Sequence, residues 1–406
     1  MAHTKEGVKY FTSAMQGAPS LTGTAGSLIG VLDACLKDGF GLLSVDSIVV
    51  ASGVATMTIG AGHLYKQWSV LQIAGVTSTL AALNAQWKLK SVTATQAVWD
   101  CPGVPDGTAS GTITAKVAPL GWLKPFSGTN LACYKSNDSE SNGHYLAVDD
   151  TVTTGNPKVR GYETMSAVAT GTNPFPSSAQ IAAGGYWPKS TIAGARPWCI
   201  VGDEMFFYYM AQPGNNQLGG GTGVYFGDPV EAPGAVDPFN TIIAAPEGSM
   251  DTTTGTNNQG DFSACWVGMN VVGSGGHYTA RNYFGIGSSN RVSQGPLWNG
   301  AGSSASGGGA MDIWYPNPIN AGVVLASVVF WDARCWRGYL PGIKFFMNRT
   351  TDAFLAYNQM ELIQPGTFDG DMAAKAAIIL GTGNNNNAGG DCAGRVAIDI
   401  LGPWRA

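Results

Sequence analysis

A mainly β architecture is predicted by three features of the sequence. Short β-branched and aromatic runs recur along it, turns rich in glycine separate them, and beyond residue 120 a helical repeat of apolar residues is nearly absent. At 406 residues the chain has room for two or three domains of about 150 residues each. Glycine supplies 57 positions and charged residues only 12%, against about 25% charged in an ordinary soluble domain. Such surfaces suit burial against neighbours better than long exposure to water.

The first part, residues 1–44, reads as an arm with one helix. Leu28, Val31, Leu32, Cys35 and Leu36 fall on one stripe of period 3.6, which predicts a helix over about 27–38, with Ser27 as its cap and Gly39 as its stop. The uncharged, turn-rich residues 12–26 ahead of it offer little core, so the arm is expected to dock on something, with Tyr10, Phe11, Leu28 and Leu32 as the candidate assembly residues.

Residues 45–119 read as a small β-sandwich or barrel of about six strands: Ile48 to Val50, Val54 to Ile59, Val70 to Ile73, Trp87 to Val92, Ala97 to Trp99 and Thr112 to Val117. Pro119 and Gly121 close it. Residues 120–406 read as a larger β-sandwich-like domain. Its apolar strands include Tyr145 to Val148, Trp198 to Val201, Met205 to Met210, Ala264 to Val272, Gly322 to Trp331, Lys375 to Leu380 and Val396 to Leu401. Between them lie nearly uncharged Gly-rich loops at 212–223, 251–260, 300–310 and 381–391, long enough to be functional or to order on a partner.

Charge and motifs narrow the chemistry. With 22 basic against 27 acidic residues there is no cationic excess for a phosphate backbone, so nucleic acid is not an expected partner. The most apolar run, Val323 to Trp331, is about half the roughly 20 residues that cross a bilayer, so no membrane span is expected. The opening residues carry no apolar leader, which predicts synthesis and folding in a cytoplasm. Seven cysteines without C-x-x-C spacing, and four isolated histidines, predict small buried thiols, no metal and no cofactor. Neither a P-loop nor a G-x-S-x-G elbow occurs. Carboxylates adjoin at Asp149-Asp150, Asp203-Glu204 and Asp369-Gly370-Asp371, which would allow a glycan hydrolase; strand alternation and turn chemistry explain them more simply, so no catalytic residue is assigned and the protein is not expected to be an enzyme. Aromatic clusters around Trp187, Trp198 and Trp314 suit a glycan platform, a core or a subunit interface.

Three stretches carry a family resemblance. Val8 to Pro19, Gly23 to Ile29 and Val31 to Leu36 form the first; Gly121-Trp122, Lys124 to Asn130, Arg160 to Glu163, Tyr186 to Lys189 and Ala195 to Trp198 the second; Arg337 to Ile343 and Gly394 to Trp404 the third. Together they resemble a group of uncharacterised structural proteins encoded in the tail-gene clusters of tailed bacteriophages and prophages. The likeness spans most of the chain and thins between 210 and 310. It implies a virion component of the tail, at the tail tip or baseplate, that takes part in assembly and host attachment, and it brings no catalytic residues with it. The expected partners are further copies of the chain in a cyclic homo-oligomer and other tail proteins, with a host-surface polysaccharide as a receptor. The alternatives are a receptor-binding tail protein reading polysaccharide through Trp187, Trp198 or Trp314, and a capsid decoration protein.

Overall fold

A computed structural model describes residues 7–77, 79–190, 193–212, 222–234, 236–247, 276–296, 325–332, 335–346, 357–382 and 394–405. The protein is mainly β, arranged in five antiparallel sheets among the described residues. The strand expected at Ala264 to Val272 and most of the four Gly-rich loops lie outside them.

Two sheets arise from residues 40–117, one of four strands and one of five. The first orders Phe40–Ser44, Gly111–Val117, Val70–Val76 and Gln86–Lys88. The second orders Ser91–Val92, Gln96–Asp100, Val54–Thr58, Ser47–Ala51 and Gly107–Thr108. Alternation explains the core: Ile48 and Val50, Ala55 and Met57, and Ala97 and Trp99 are buried, while the residues between them are less so. Trp87 of one sheet stacks on Trp99 of the other, ring centroids 6.4 Å apart. The run from Trp87 to Val92, expected as one strand, is two that belong to different sheets. The first strand of this region begins at Phe40, ahead of the expected boundary at 45.

The remaining sheets stack in layers. A central seven-stranded sheet orders Lys9–Thr12, Trp198–Gly202, Phe206–Ala211, Thr222–Gly227, Ile242–Ala244, His277–Thr279 and Asn290–Arg291. Phe206–Ala211 is buried at every position, the pattern of a strand covered on both faces, and its unbroken apolar run says the same. Parity assigns the two faces. Phe207, Tyr209 and Phe226 meet Trp122, Trp187 and Phe175 on one side, where Leu123–Gly128, Leu131–Lys135, Tyr145–Asp149, Lys158–Ala167 and Thr170–Phe175 form a meander. Tyr208 faces the other side. It donates to Pro341 O at 2.9 Å and packs edge-on against Trp404, within the sheet that carries Leu325–Asp332, Cys335–Phe346, Ala377–Thr382 and Gly394–Asp399.

The N-terminal segment is woven into this stack. Lys9–Thr12 pairs antiparallel with Trp198–Gly202 as the edge of the central sheet. The helical stretch winds as an α-helix over Ser27–Leu32 and as a π-helix over Asp33–Asp38, ending at Gly39 with φ 73°. Ser27 is not its cap. The N-cap position is Gly26, and the cap comes from Asp150, whose Oδ2 accepts the Leu28 N–H at 2.8 Å. Farther along, Gly17 and Gly41 let two backbones cross: both have positive φ, and a Cβ on Gly17 would lie 2.6 Å from Gly41 Cα.

Candidate interaction surface

The residues proposed for assembly or glycan contact face inward. Tyr10, Phe11, Leu28 and Leu32 belong to the chain's own core, so these four side chains pack within the molecule. Trp187 and Trp198 are 0% exposed and their indole N–H groups donate to Ala244 O and Pro19 O, which leaves no ring face for a sugar. The reason is topological: Trp198 starts a strand covered on both faces, and Trp187 fills the gap between the central sheet and the meander. Trp314 lies outside the described residues.

The carboxylates of the sequence motifs have structural partners. Asp150 pairs with Lys189, both side chains fully buried; Lys189 Nζ also donates to Val152 O at 2.9 Å and Thr24 O at 3.1 Å. Burial pushes the Asp150 carboxyl up, against the pull of Lys189. Asp203 Oδ1 accepts the N–H groups of Met205 and Phe206, and its Oδ2 pairs with Arg405. Burial raises Asp203 as well. Asp371 pairs with Lys344 at the surface. Cys35, Cys101, Cys133 and Cys199 are buried free thiols, with burial lifting Cys133 to about 12, whereas Cys335 is half-buried. His277 completes a ring of hydrogen bonds: Tyr225 Oη lies 2.7 Å from its Nδ1 and donates to Gln294 Oε1 at 2.8 Å, while Gln294 Nε2 lies 3.0 Å from its Nε2. The donors and acceptors of these three contacts match if Gln294 donates to Nε2 and Nδ1–H donates to Tyr225 Oη. No group of three or more His, Cys, Asp or Glu suited to a metal occurs among the described residues.

The feature that stands out was not singled out from the sequence. Large apolar side chains are exposed on three neighbouring segments: Val236 at 92%, Phe284 at 73%, Ile286 at 68% and Trp336 at 41%, with Tyr283 half-exposed beside them. One arginine ties the segments together. Arg337 is 1% exposed, and its N–H donors reach Asp237 Oδ2 at 2.6 and 3.0 Å, Phe239 O at 3.3 Å, Thr279 Oγ1 at 2.7 Å and Arg281 O at 2.7 Å. Asp237 and Phe239 belong to the segment of Val236, and Arg281 begins the segment of Phe284 and Ile286. Arg337 itself follows Trp336. The guanidinium's five donors are all used, in the fixed fork that makes arginine suited to such a node.

Secondary ties hold the same geometry. Arg281 grips Glu163 of the meander through Nε–Oε1 at 2.6 Å and Nη2–Oε2 at 2.8 Å, and its guanidinium lies 4.3 Å from the Phe239 ring centroid. Burial alone would raise Glu163, but Arg281 and Asn173 outweigh it and hold the carboxyl below its usual range. The Tyr283 N–H donates to Asp332 Oδ2 at 2.9 Å. Gly285 sits where a Cβ would come 3.0 Å from the Phe239 ring, so the loop lies flat on that ring and turns Phe284 and Ile286 to solvent. In sequence, Tyr283-Phe284-Gly285-Ile286 looks like any short core strand. Only its antiparallel neighbours, His277–Thr279 and Asn290–Arg291, turn it into a connecting loop.

No family model matches this sequence, and no curated protein matches it.

Proposed function

We propose that the protein is a structural component of a tailed-bacteriophage virion, at the tail tip or baseplate, and that it joins neighbouring virion proteins through the surface of Val236, Phe284, Ile286 and Trp336. The resemblance of the three sequence stretches supplies the setting. The observation that carries the interface is that the segments bearing these exposed large apolar groups are tied together by one buried arginine. Exposed apolar patches mark interaction sites, and fixing them in advance lowers the ordering cost of association.

Gold-tagged antibody against residues 45–118, applied to purified particles under the electron microscope, tests the placement. Label at the distal tail is the expected result. Label over the head would convert the reading to a capsid decoration protein, and particles lacking the protein by mass spectrometry would remove the virion reading altogether.

A host polysaccharide is the second reading, favoured by the half-exposed rings of Tyr283 and Trp336. The aliphatic Ile286 and Val236 offer no stacking face for a sugar, which ranks a protein partner first. Binding of host cells by the purified chain, abolished by Trp336→Ala with the melting temperature unchanged, would reverse that order.

A further inference from the structure

Beside the apolar patch, and sharing Val236 with it, lies a cleft of about 340 Å³. Its walls bring together the short strand Val230–Glu231, loops that connect strands of the meander and of the central sheet, and the C-terminal segment. Four carboxylates line it, those of Glu140, Asp228, Glu231 and Asp237, against the single guanidinium of Arg405. Two of these charges are already matched inside the protein: Asp237 by Arg337, and Arg405 by Asp203.

Among the described residues, the other carboxylates form no salt bridge. Asp228 is 5% exposed and is held by neutral donors, the Ser141 hydroxyl at 2.7 Å and the Asn142 N–H at 2.8 Å among them, with the Thr241 hydroxyl on its other oxygen. Among the described residues, Glu231 accepts only the Asp237 N–H, at 3.0 Å, and the exposed Glu140 has no ion pair. A separate observation points the same way. Asn240 lines the cleft, is 1% exposed, and its Oδ1 has no hydrogen-bond partner among the described residues. An acceptor buried without a donor costs about 1–3 kcal/mol unless something donates to it.

We infer that this cleft receives a lysine or arginine side chain from the partner protein that covers the apolar patch. The cleft's own chemistry selects that shape of cation. Oxygen acceptors share the walls with Pro229, Val230, Val236 and Pro238, so a cationic head meets the carboxylates while an alkyl stem lies along apolar surface. A small hard cation would need several oxygens converging at about 2.3–2.6 Å, which apolar walls do not supply. The complementary partner is therefore a segment with a basic residue next to apolar ones, matched to an acidic cleft next to an apolar patch. The inference rests on the patch being a protein interface.

The test titrates the full-length protein with three acetylated, amidated tripeptides followed by saturation-transfer NMR: leucine-arginine-leucine, leucine-glutamate-leucine and leucine-glutamine-leucine. The expected result is that the arginine peptide binds about tenfold more tightly than the other two, weakens with added salt, and loses that advantage in Glu140→Gln/Glu231→Gln. Both substitutions keep an acceptor oxygen and leave the Asp237 N–H satisfied, so folding is preserved. Equal binding of all three peptides, an advantage that survives the double substitution, or no binding by any peptide overturns the inference. Phe284→Ser separates the two readings: if it abolishes binding that the cleft substitutions leave untouched, the patch stands as an interface and the cationic partner does not.

Discussion

Two buried ion pairs use the same chemistry for opposite ends. Lys189 and Asp150, both 0% exposed, sit among Thr24 O, Val152 O and the Leu28 N–H, and so lock the N-terminal segment into the body of the protein. The helix start that Asp150 caps, Leu28 and Ile29, is buried, although the side chain of Val152 is exposed. Arg337 and Asp237 are buried too, yet the segments they organise carry Phe284, Ile286 and Val236, which face water. A desolvated ion pair is weak evidence for stability in itself, since its Coulombic gain is offset by lost hydration. What differs between the two is what each holds in place: one closes a core, the other shapes a surface.

The comparison breaks most plainly at Lys189. Lys189→Met leaves the Asp150 carboxylate buried and unpaired, a loss of about 3–5 kcal/mol expected in urea unfolding, spread over the whole molecule. Asp150→Asn combined with Lys189→Met should recover part of it, because no charge is then stranded. Arg337→Met strands Asp237 in the same way, for about 3 kcal/mol, but with a different address. Amide hydrogen exchange should quicken at 236–241 and 277–286 while the sheets of residues 40–117 stay protected. Exchange that rose evenly in both variants would erase the distinction between a core lock and a surface node.

These differences were unevenly legible in the sequence. In residues 40–117 the alternation of Ile48, Val50, Ala55, Met57, Ala97 and Trp99 is a local signal, and it placed the strands to within a residue or two at most ends. The run from Phe206 to Ala211 was legible as a strand, though what covers its two faces was not, since the covering sheets come from distant sequence. The twelve-residue strand Cys335–Phe346 was hidden because Gly338, Pro341 and Gly342 interrupt it and β propensity argues against all three. Ser27 looked like the helix cap and lost that role to Asp150, 122 residues beyond Leu28. The interaction surface was the least legible part. Nothing near Tyr283 says that it is exposed, and although Arg337 opens one of the stretches that carry the resemblance, nothing beside it says that its guanidinium is buried.

Acid sharpens the contrast through Glu163. Arg281 and Asn173 hold its carboxyl below the ordinary value of 4.5, against the upward push of burial. The sign follows from linkage: a lowered folded-state value adds stability that is complete above the unfolded value and disappears as pH falls through the folded one. The stabilisation from this partly exposed pair, about 1 kcal/mol, should therefore be lost below the ordinary carboxylate range, and the segment carrying Phe284 should exchange faster there. Glu163→Gln should show that faster exchange at pH 7 and lose the acid step. Asp150, whose value is raised, has the opposite sign, so ionising it as pH rises costs stability.

The smallest effect on stability belongs to the patch itself, and that is where the comparison is most exposed to failure. Phe284 makes few contacts that folding depends on, since most of its ring is in water, and Phe284→Ser or Ile286→Ser should shift unfolding by no more than about 0.5 kcal/mol. Phe207→Ser, inside the central sheet, should by contrast prevent stable folding. Both surface changes should lower retention of the protein in purified particles, because they remove apolar area that association would bury while leaving the Arg337 node intact. A loss of several kcal/mol from Phe284→Ser would mean that its ring is part of a core after all. Unchanged stability together with unchanged incorporation would mean that the arginine node holds loops for some purpose other than this contact.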